Sequence, residues 1–232
     1  MTVQKMNNTI ELNKKCAFAF LETLEGNSVD MVFTDPPYWT LNKWRNVGTT
    51  TRLGGNSDKD KQTGWFETID SEELWQLMCE LYRVLKKDRH CFIMCDGQTL
   101  KWVLGYAEEA GFSYFKPLIW DKVSLGMGYH FRSRHEFIVM LDKGKNRKPK
   151  SLSIPDIFEV PMIKGGYPTE KPQGLIDIFI DQFTEENEVV VDPFFGSGTV
   201  PLSCKQKNRI FKGSDISDES HRYSESRLNT LF

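Results

Sequence analysis

The residues best suited to do chemistry form two short segments far apart in the chain, Asp35-Pro36-Pro37-Tyr38 and Asp192-Pro193-Phe194-Phe195-Gly196-Ser197-Gly198-Thr199. Each follows an apolar run, Val29 to Phe33 and Val189 to Val191, that reads as a strand buried on both faces. Two successive prolines fix φ twice and remove two backbone donors, so the first segment predicts a stiff turn rich in outward-facing acceptors. The exocyclic amine of a nucleobase is a weak nucleophile because its lone pair is delocalised into the ring. If Asp35 and the Pro36 carbonyl each accept one amine hydrogen, that nitrogen is biased toward a tetrahedral geometry able to attack an electrophilic carbon. Tyr38 would then stack on the base, which must be flipped out of a duplex to be reached. Taken alone, the same tetrapeptide also reads as a Pro-Pro turn with an aspartate cap.

In the second segment, Gly196 and Gly198 let the backbone come close to a ligand at the start of a helix. No Gly-Lys-Ser/Thr follows, which excludes a P-loop, and Pro201 stands where a dinucleotide fingerprint needs its third glycine. After the apolar stretch Arg209-Ile210-Phe211 comes Gly213-Ser214-Asp215, with an acid placed to accept from ribose hydroxyls. The pattern points to an adenosine-type ligand without a pyrophosphate.

The elements that must position these residues can be read from hydrophobic periodicity. Strand-like runs recur at Val29 to Phe33, Cys91 to Met94, Tyr114 to Trp120, Phe137 to Leu141 and Val189 to Val191. Helical patterns lie among them at Cys16 to Leu24, Glu72 to Leu85, Leu100 to Ala110, Leu175 to Phe183, Val200 to Lys207 and Ser217 to Leu231. Such alternation predicts an α/β fold, a parallel sheet with helices on both faces. Three stretches interrupt it: Trp39 to Trp65, Ser124 to Ser133 with Gly126 and Gly128, and Lys143 to Tyr167, which is basic and then rich in Pro and Gly. The first is long enough to predict a mobile functional loop over 39–66.

The chain of 232 residues reads as one domain spanning 1–232. Its 39% hydrophobic and 27% charged content excludes disorder. Met1 to Asn8 lacks the apolar stretch of a signal peptide and no run is long enough to span a membrane, so the expected location is the cytoplasm. Five cysteines, mostly inside apolar segments, read as reduced core thiols. His90, Cys91 and Cys95 have no further ligand pair at suitable spacing, so no metal is expected. A formal net charge of -2 argues against general affinity for polyanions, leaving that task to local clusters. One is Lys143, Lys145, Arg147, Lys148 and Lys150. Another is the loop after Tyr38, with Trp39, Lys43, Trp44, Arg45 and Arg52.

Together these landmarks resemble the amino-methyltransferases of DNA, which move a methyl group from S-adenosylmethionine to N6 of adenine or N4 of cytosine. Asp35-Pro36-Pro37-Tyr38 resembles the family's catalytic motif and Asp192 to Thr199 its cofactor motif. Tyr167-Pro168-Thr169-Glu170-Lys171-Pro172 resembles the segment at the methionine end of the cofactor, Asp215 the ribose-binding acid, and Arg134-His135-Glu136-Phe137 the opening of the strand opposite the base pocket. The linear order, catalytic before cofactor, is similar to the beta subgroup, whose sheet is circularly permuted. The resemblance implies a Rossmann-like methyltransferase fold, a mostly parallel seven-stranded sheet with one antiparallel strand near Phe137 to Leu141. It also implies catalysis by Asp35, Pro36, Pro37 and Tyr38. Cofactor binding would fall to Asp35, Lys171, Asp192, Phe194, Gly196, Ser197, Gly198, Thr199 and Asp215. Double-stranded DNA would be held through Trp39, Lys43, Arg45, Arg52, Lys145, Arg147 and Lys148, with a short target-recognition segment over 143–167. A homodimer and a cognate restriction endonuclease are partners the family suggests. Two positions depart from the pattern: Cys16 stands near where many relatives carry an Asp for the cofactor adenine, and Tyr167 replaces a common histidine. Asp35 favours adenine where Ser would favour N4-cytosine, and the absence of any Pro-Cys dipeptide disfavours C5-cytosine chemistry. N4-cytosine, RNA-adenine and protein-amide methylation, or binding of nucleic acid without catalysis, remain as alternatives.

Overall fold

The computed structural model describes residues 9–38, 68–126, 130–145 and 148–230. The loop expected at 39–66, with Trp39, Lys43, Arg45 and Arg52, and Arg147 of the basic cluster lie outside them. In chain order the elements are β1 (Ile10–Asn13), α1 (Ala17–Leu21), β2 (Val29–Thr34), α2 (Ser71–Val84), β3 (Leu85–Cys95), α3 (Leu100–Ala110), β4 (Ser113–Asp121), β5 (His135–Lys143), β6 (Ile157–Glu159), α4 (Gln173–Phe183), β7 (Val189–Asp192), α5 (Thr199–Gln206), β8 (Ile210–Ser214) and α6 (Asp218–Asn229).

The strands form one sheet in the order β1-β8-β7-β2-β3-β5-β4-β6. Every pairing is parallel except those of β5, which runs against both β3 and β4. The sheet thus has one strand more than the expected seven. Three strands lie beyond the five strand-like runs: β8, which begins in the apolar stretch Arg209-Ile210-Phe211, and β1 and β6, whose sequences, Ile-Glu-Leu-Asn and Ile-Phe-Glu, are too short to carry a periodic signal. In the other direction, β3 extends back through Lys86, Lys87, Asp88 and Arg89, a polar stretch flanked by the pairing of Leu85 with Val29 of β2 and ending where Arg89 pairs with Lys143 of β5.

Central strands are buried on both faces, and their side chains alternate between two cores. Val29, Val32, Leu85, Cys91, Ile93 and Cys95 pack with Phe20 and Leu21 of α1, Leu74 to Val84 of α2 and Val103 and Ala107 of α3. Met31, Phe33, Phe92 and Met94 point the other way, onto Leu175, Ile176, Phe179 and Ile180 of α4 and Val200 and Cys204 of α5. Helix α2 begins at a reciprocal cap: Asp70 accepts from the Glu72 and Glu73 amides while the Glu73 carboxylate accepts from the Asp70 amide. Among the described residues no helix is long and apolar enough to cross a membrane.

Candidate active site

The site follows from sheet topology. Strands β2 and β7 are parallel neighbours, with Met31 opposite Val190 and Val32 opposite Val191. From β2 the chain passes through α2 to β3 on one side; from β7 it passes through α5 to β8 on the other. The strand order therefore reverses between β2 and β7, which is where open α/β sheets form a ligand crevice at the carboxyl ends of their strands. Both sequence motifs emerge there side by side. The Thr34 hydroxyl donates to Asp192 Oδ1 across the gap at 2.8 Å, and the Phe194 amide donates to the same oxygen at 3.0 Å.

The glycine turn is held from three directions. The Gly196 amide donates to Asp215 Oδ2 at 3.0 Å while the Ser217 amide donates to Oδ1 at 2.9 Å, so the acid after β8 is oriented by both its oxygens. Ser224 of α6 donates to the Gly196 carbonyl at 3.0 Å. Arg227 Nη1 donates to the Ser197 carbonyl at 2.9 Å and to the Thr199 hydroxyl at 3.0 Å, and pairs with Glu170 at 3.0 Å. Gly198 has φ +76°, and a Cβ there would lie 2.5 Å from Ser224 Oγ. Gly198 thus permits a close approach to α6 of the same chain. Gly196, at φ +48°, would meet only the Phe194 carbonyl, at 3.8 Å.

Lys171 joins the two motifs. Its carbonyl accepts from the Thr199 hydroxyl at 3.0 Å at the start of α5. Its ammonium pairs with Asp35 Oδ2 and lies 3.8 Å from Glu136 Oε2, and Lys122 closes the row on Glu136 Oε1 at 2.5 Å. Burial works against the Lys171 charge, but Asp35 and Glu136 outweigh it and hold the ammonium above the ordinary lysine range. Burial also pushes the Asp35 carboxyl upward, against the pull of Lys171. For Glu136 the attraction of Lys171 and Lys122 overcomes burial and lowers the value. The Asp35 side chain keeps 37% of its surface open, which puts it at the mouth of the crevice. Asp192 sits deeper, and burial lifts its carboxyl to about 7.

Two details of the tetrapeptide differ from expectation. Tyr38 is only 3% exposed, packed in the core with its hydroxyl donating to the Met94 carbonyl at 3.1 Å. Its ring buttresses the turn instead of facing a base. The Pro37 carbonyl accepts from the Ile69 amide at 2.8 Å, so it is not an open acceptor. Among the described residues nothing donates to the Pro36 carbonyl, which leaves it beside Asp35 for a ligand.

The basic cluster is displaced altogether. Because β5 runs against the sheet, the residues after it emerge at the edge opposite Asp35, where Lys143 pairs in register with Arg89. With about 3.3 Å per residue along β3, that edge is roughly 20 Å from Cys95. There Lys143 Nζ donates to the Tyr82 and Leu85 carbonyls, the Lys145 amide to Asp88, and Lys150 to the Thr184 carbonyl. Lys145 and exposed Lys148 belong to this remote edge and not to the crevice. Conversely, the periodicity missed Glu136 as a site acid, although an acid opening an otherwise apolar strand was a visible signal. Thr34 and Arg227 gave none, since their partners are set by tertiary contact. Among the described residues no group of three His, Cys, Asp or Glu side chains is arranged to hold a metal, and His90 is paired with Asp142 at 2.5 Å inside the core.

A mostly parallel sheet with one antiparallel strand, a glycine turn and an acid after the next strand defines the Rossmann-like methyltransferase fold. The solved structure of the M1.HpyAVI–SAM complex superposes with a TM-score of 0.70 at 22% identity, covering 95% of this chain and 100% of that one. In sequence the chain is similar to YubD of Escherichia coli (strain K12), 30% identical over 90% of this chain and 85% of that protein. It is also similar to the Type II methyltransferase M.HpaI of Haemophilus parainfluenzae, 28% identical over 93% and 73%. Residues 29–226 match the family described as DNA methylase of the N6/N4 type, and the chain belongs to that family of DNA methyltransferases.

Proposed function

We propose that this DNA methyltransferase transfers a methyl group from S-adenosylmethionine to N6 of adenine in double-stranded DNA, with the base flipped out of the duplex. The observation that carries the reading is the meeting of the Asp35 corner and the Gly196 turn in one crevice, joined by Lys171 and by the Thr34 to Asp192 hydrogen bond. The motif order, catalytic before cofactor, supports the beta subgroup. The donor set suits the cofactor. The Asp215 carboxylate is already oriented for ribose hydroxyls, and Asp192 Oδ2, with no partner among the described residues, suits the cationic methionine end. Phe194, Gly196, Ser197, Gly198, Thr199 and Lys171 line the rest of that path. When bound, S-adenosylmethionine would supply an electrophilic methyl carbon and a neutral thioether as the leaving group.

The chain's own residues prepare the acceptor. Asp35 and the Pro36 carbonyl accept the two hydrogens of the amine, which localises its lone pair on nitrogen. After the new carbon–nitrogen bond forms, the nitrogen must shed one proton, and Asp35 is the acceptor in place. The Lys171 ammonium beside Asp35 works against the burial that raises its carboxyl. Asp35, rather than a neutral Ser, favours the adenine amine over N4 of cytosine.

Purified enzyme incubated with DNA and S-adenosylmethionine, followed by mass analysis of nucleosides, is expected to yield N6-methyladenine. N4-methylcytosine would redirect the acceptor, and no methylated nucleoside would overturn the reading. Asp35→Ala is expected to abolish transfer while retaining cofactor binding by calorimetry; full turnover in that variant would remove Asp35 from the mechanism.

A further inference from the structure

With the lysine cluster carried to the far edge of the sheet, DNA at the crevice meets a different surface among the described residues. The hairpin joining β4 to β5 supplies one. Strand β4 runs parallel to β2, so its carboxyl end, and the hairpin beyond it, rise from the same edge as Asp35. Lys122 at the hairpin root pairs with Glu136, which faces Lys171 and through it Asp35. From Lys122 to His135 the sequence carries Lys122, His130, Arg132, Arg134 and His135 and no acid.

The described part of this hairpin is braced. The Lys122 amide donates to the Arg134 carbonyl at 2.9 Å, and the Gly126 amide to the Ser133 carbonyl at 2.6 Å. Arg132 Nε donates back to the Gly126 carbonyl at 2.8 Å, and Arg134 pairs with Asp121 at 2.7 Å. A Cβ at Gly126 would lie 2.9 Å from the Ser133 carbonyl, so the two arms close only around glycine. Beyond these braces stands Phe131, 93% exposed, with Leu125 and Val123 also exposed on the opposite arm. An aromatic ring presented to solvent on a braced arm, among cations and above a base pocket, matches the apolar wedges that proteins push between base steps. Phosphates are drawn by exposed Arg132, and an unstacked gap is a place in a duplex where a bare ring gains contact.

We propose that Phe131 enters the base stack and fills the space left when the target adenine is flipped. This rests on the reading of the protein as a methyltransferase acting on duplex DNA. The test compares wild type, Phe131→Ala and Phe131→Trp on two duplexes bearing the site mapped for the wild-type enzyme, one fully paired and one with an abasic position opposite the target. Phe131→Ala is expected to lose about ten- to hundredfold in kcat/KM on the paired duplex. On the abasic duplex, where unpairing costs little, the loss is expected to stay within about threefold. Phe131→Trp should retain activity on both, and cofactor binding should be unchanged in each variant. An equal loss on both duplexes, or no loss on either, overturns the wedge. If the wild type itself methylates neither duplex, it is the proposed function that fails.

Discussion

At the scale of single residues, Asp192 governs how the site responds to pH. Burial raises its carboxyl from 3.8 to about 7, against the hydrogen bonds from the Phe194 amide and Thr34. Between those two values the folded protein holds a proton that the unfolded chain has released, so the contribution of Asp192 to folding stability declines as pH rises across that window. Cation binding runs the other way, because the sulfonium and ammonium of S-adenosylmethionine favour the carboxylate. Affinity for the cofactor is expected to climb with pH up to about 7 and then level off, and Asp192→Asn should flatten the profile. Titration calorimetry one unit either side of that value checks this; an unchanged profile in the variant would assign the titration elsewhere. The residues with local work to do were readable in the sequence: two prolines stiffen a turn wherever they stand, and Gly198 adopts a backbone conformation open mainly to glycine. Glu136 and Arg227 act only through partners that the fold delivers from distant parts of the chain.

At the scale of elements, α6 clamps the glycine turn. Arg227 reaches Ser197, Thr199 and Glu170, and Glu170 also accepts from Tyr223 at 2.9 Å. Arg227→Ala is expected to destabilise the fold by about 1.5–3 kcal/mol, the scale of hydrogen bonds to charged groups, and to weaken cofactor binding. Denaturant unfolding and calorimetry measure the two effects, and Glu170→Gln in the same chain should recover part of the stability by removing the stranded charge. Gly198→Ala combines a positive φ with a methyl group pressed on Ser224, and should cost about 1–3 kcal/mol in the same unfolding experiment. Element order was mostly legible because buried parallel strands and amphipathic helices differ in period. The fate of the lysines after β5 was not. An antiparallel strand near Phe137 to Leu141 was expected, yet its direction decides which edge the next residues reach, and charge composition says nothing about direction.

At the scale of the whole molecule, any ligand that binds only the folded state shifts the unfolding equilibrium by mass action. S-adenosylmethionine at a hundredfold excess over its Kd should add about 2.7 kcal/mol. For a protein of this size that raises Tm by roughly 5–10 °C. Differential scanning fluorimetry should show the rise in wild type and in Asp35→Ala, and its loss in Asp215→Ala; a rise surviving in Asp215→Ala would remove that acid from the cofactor site. The central strand β2 has its two neighbours at very different distances along the chain: β3 follows it closely, whereas β7 comes only at Val189. A ribosome building this protein therefore releases β2 and β3 long before the strand that covers the other flank of β2. Until then an apolar strand edge stands ready to pair with whatever chain comes near. That interval of exposure during synthesis is thus a consequence of placing the Asp35 corner early in the chain and the Gly196 turn late.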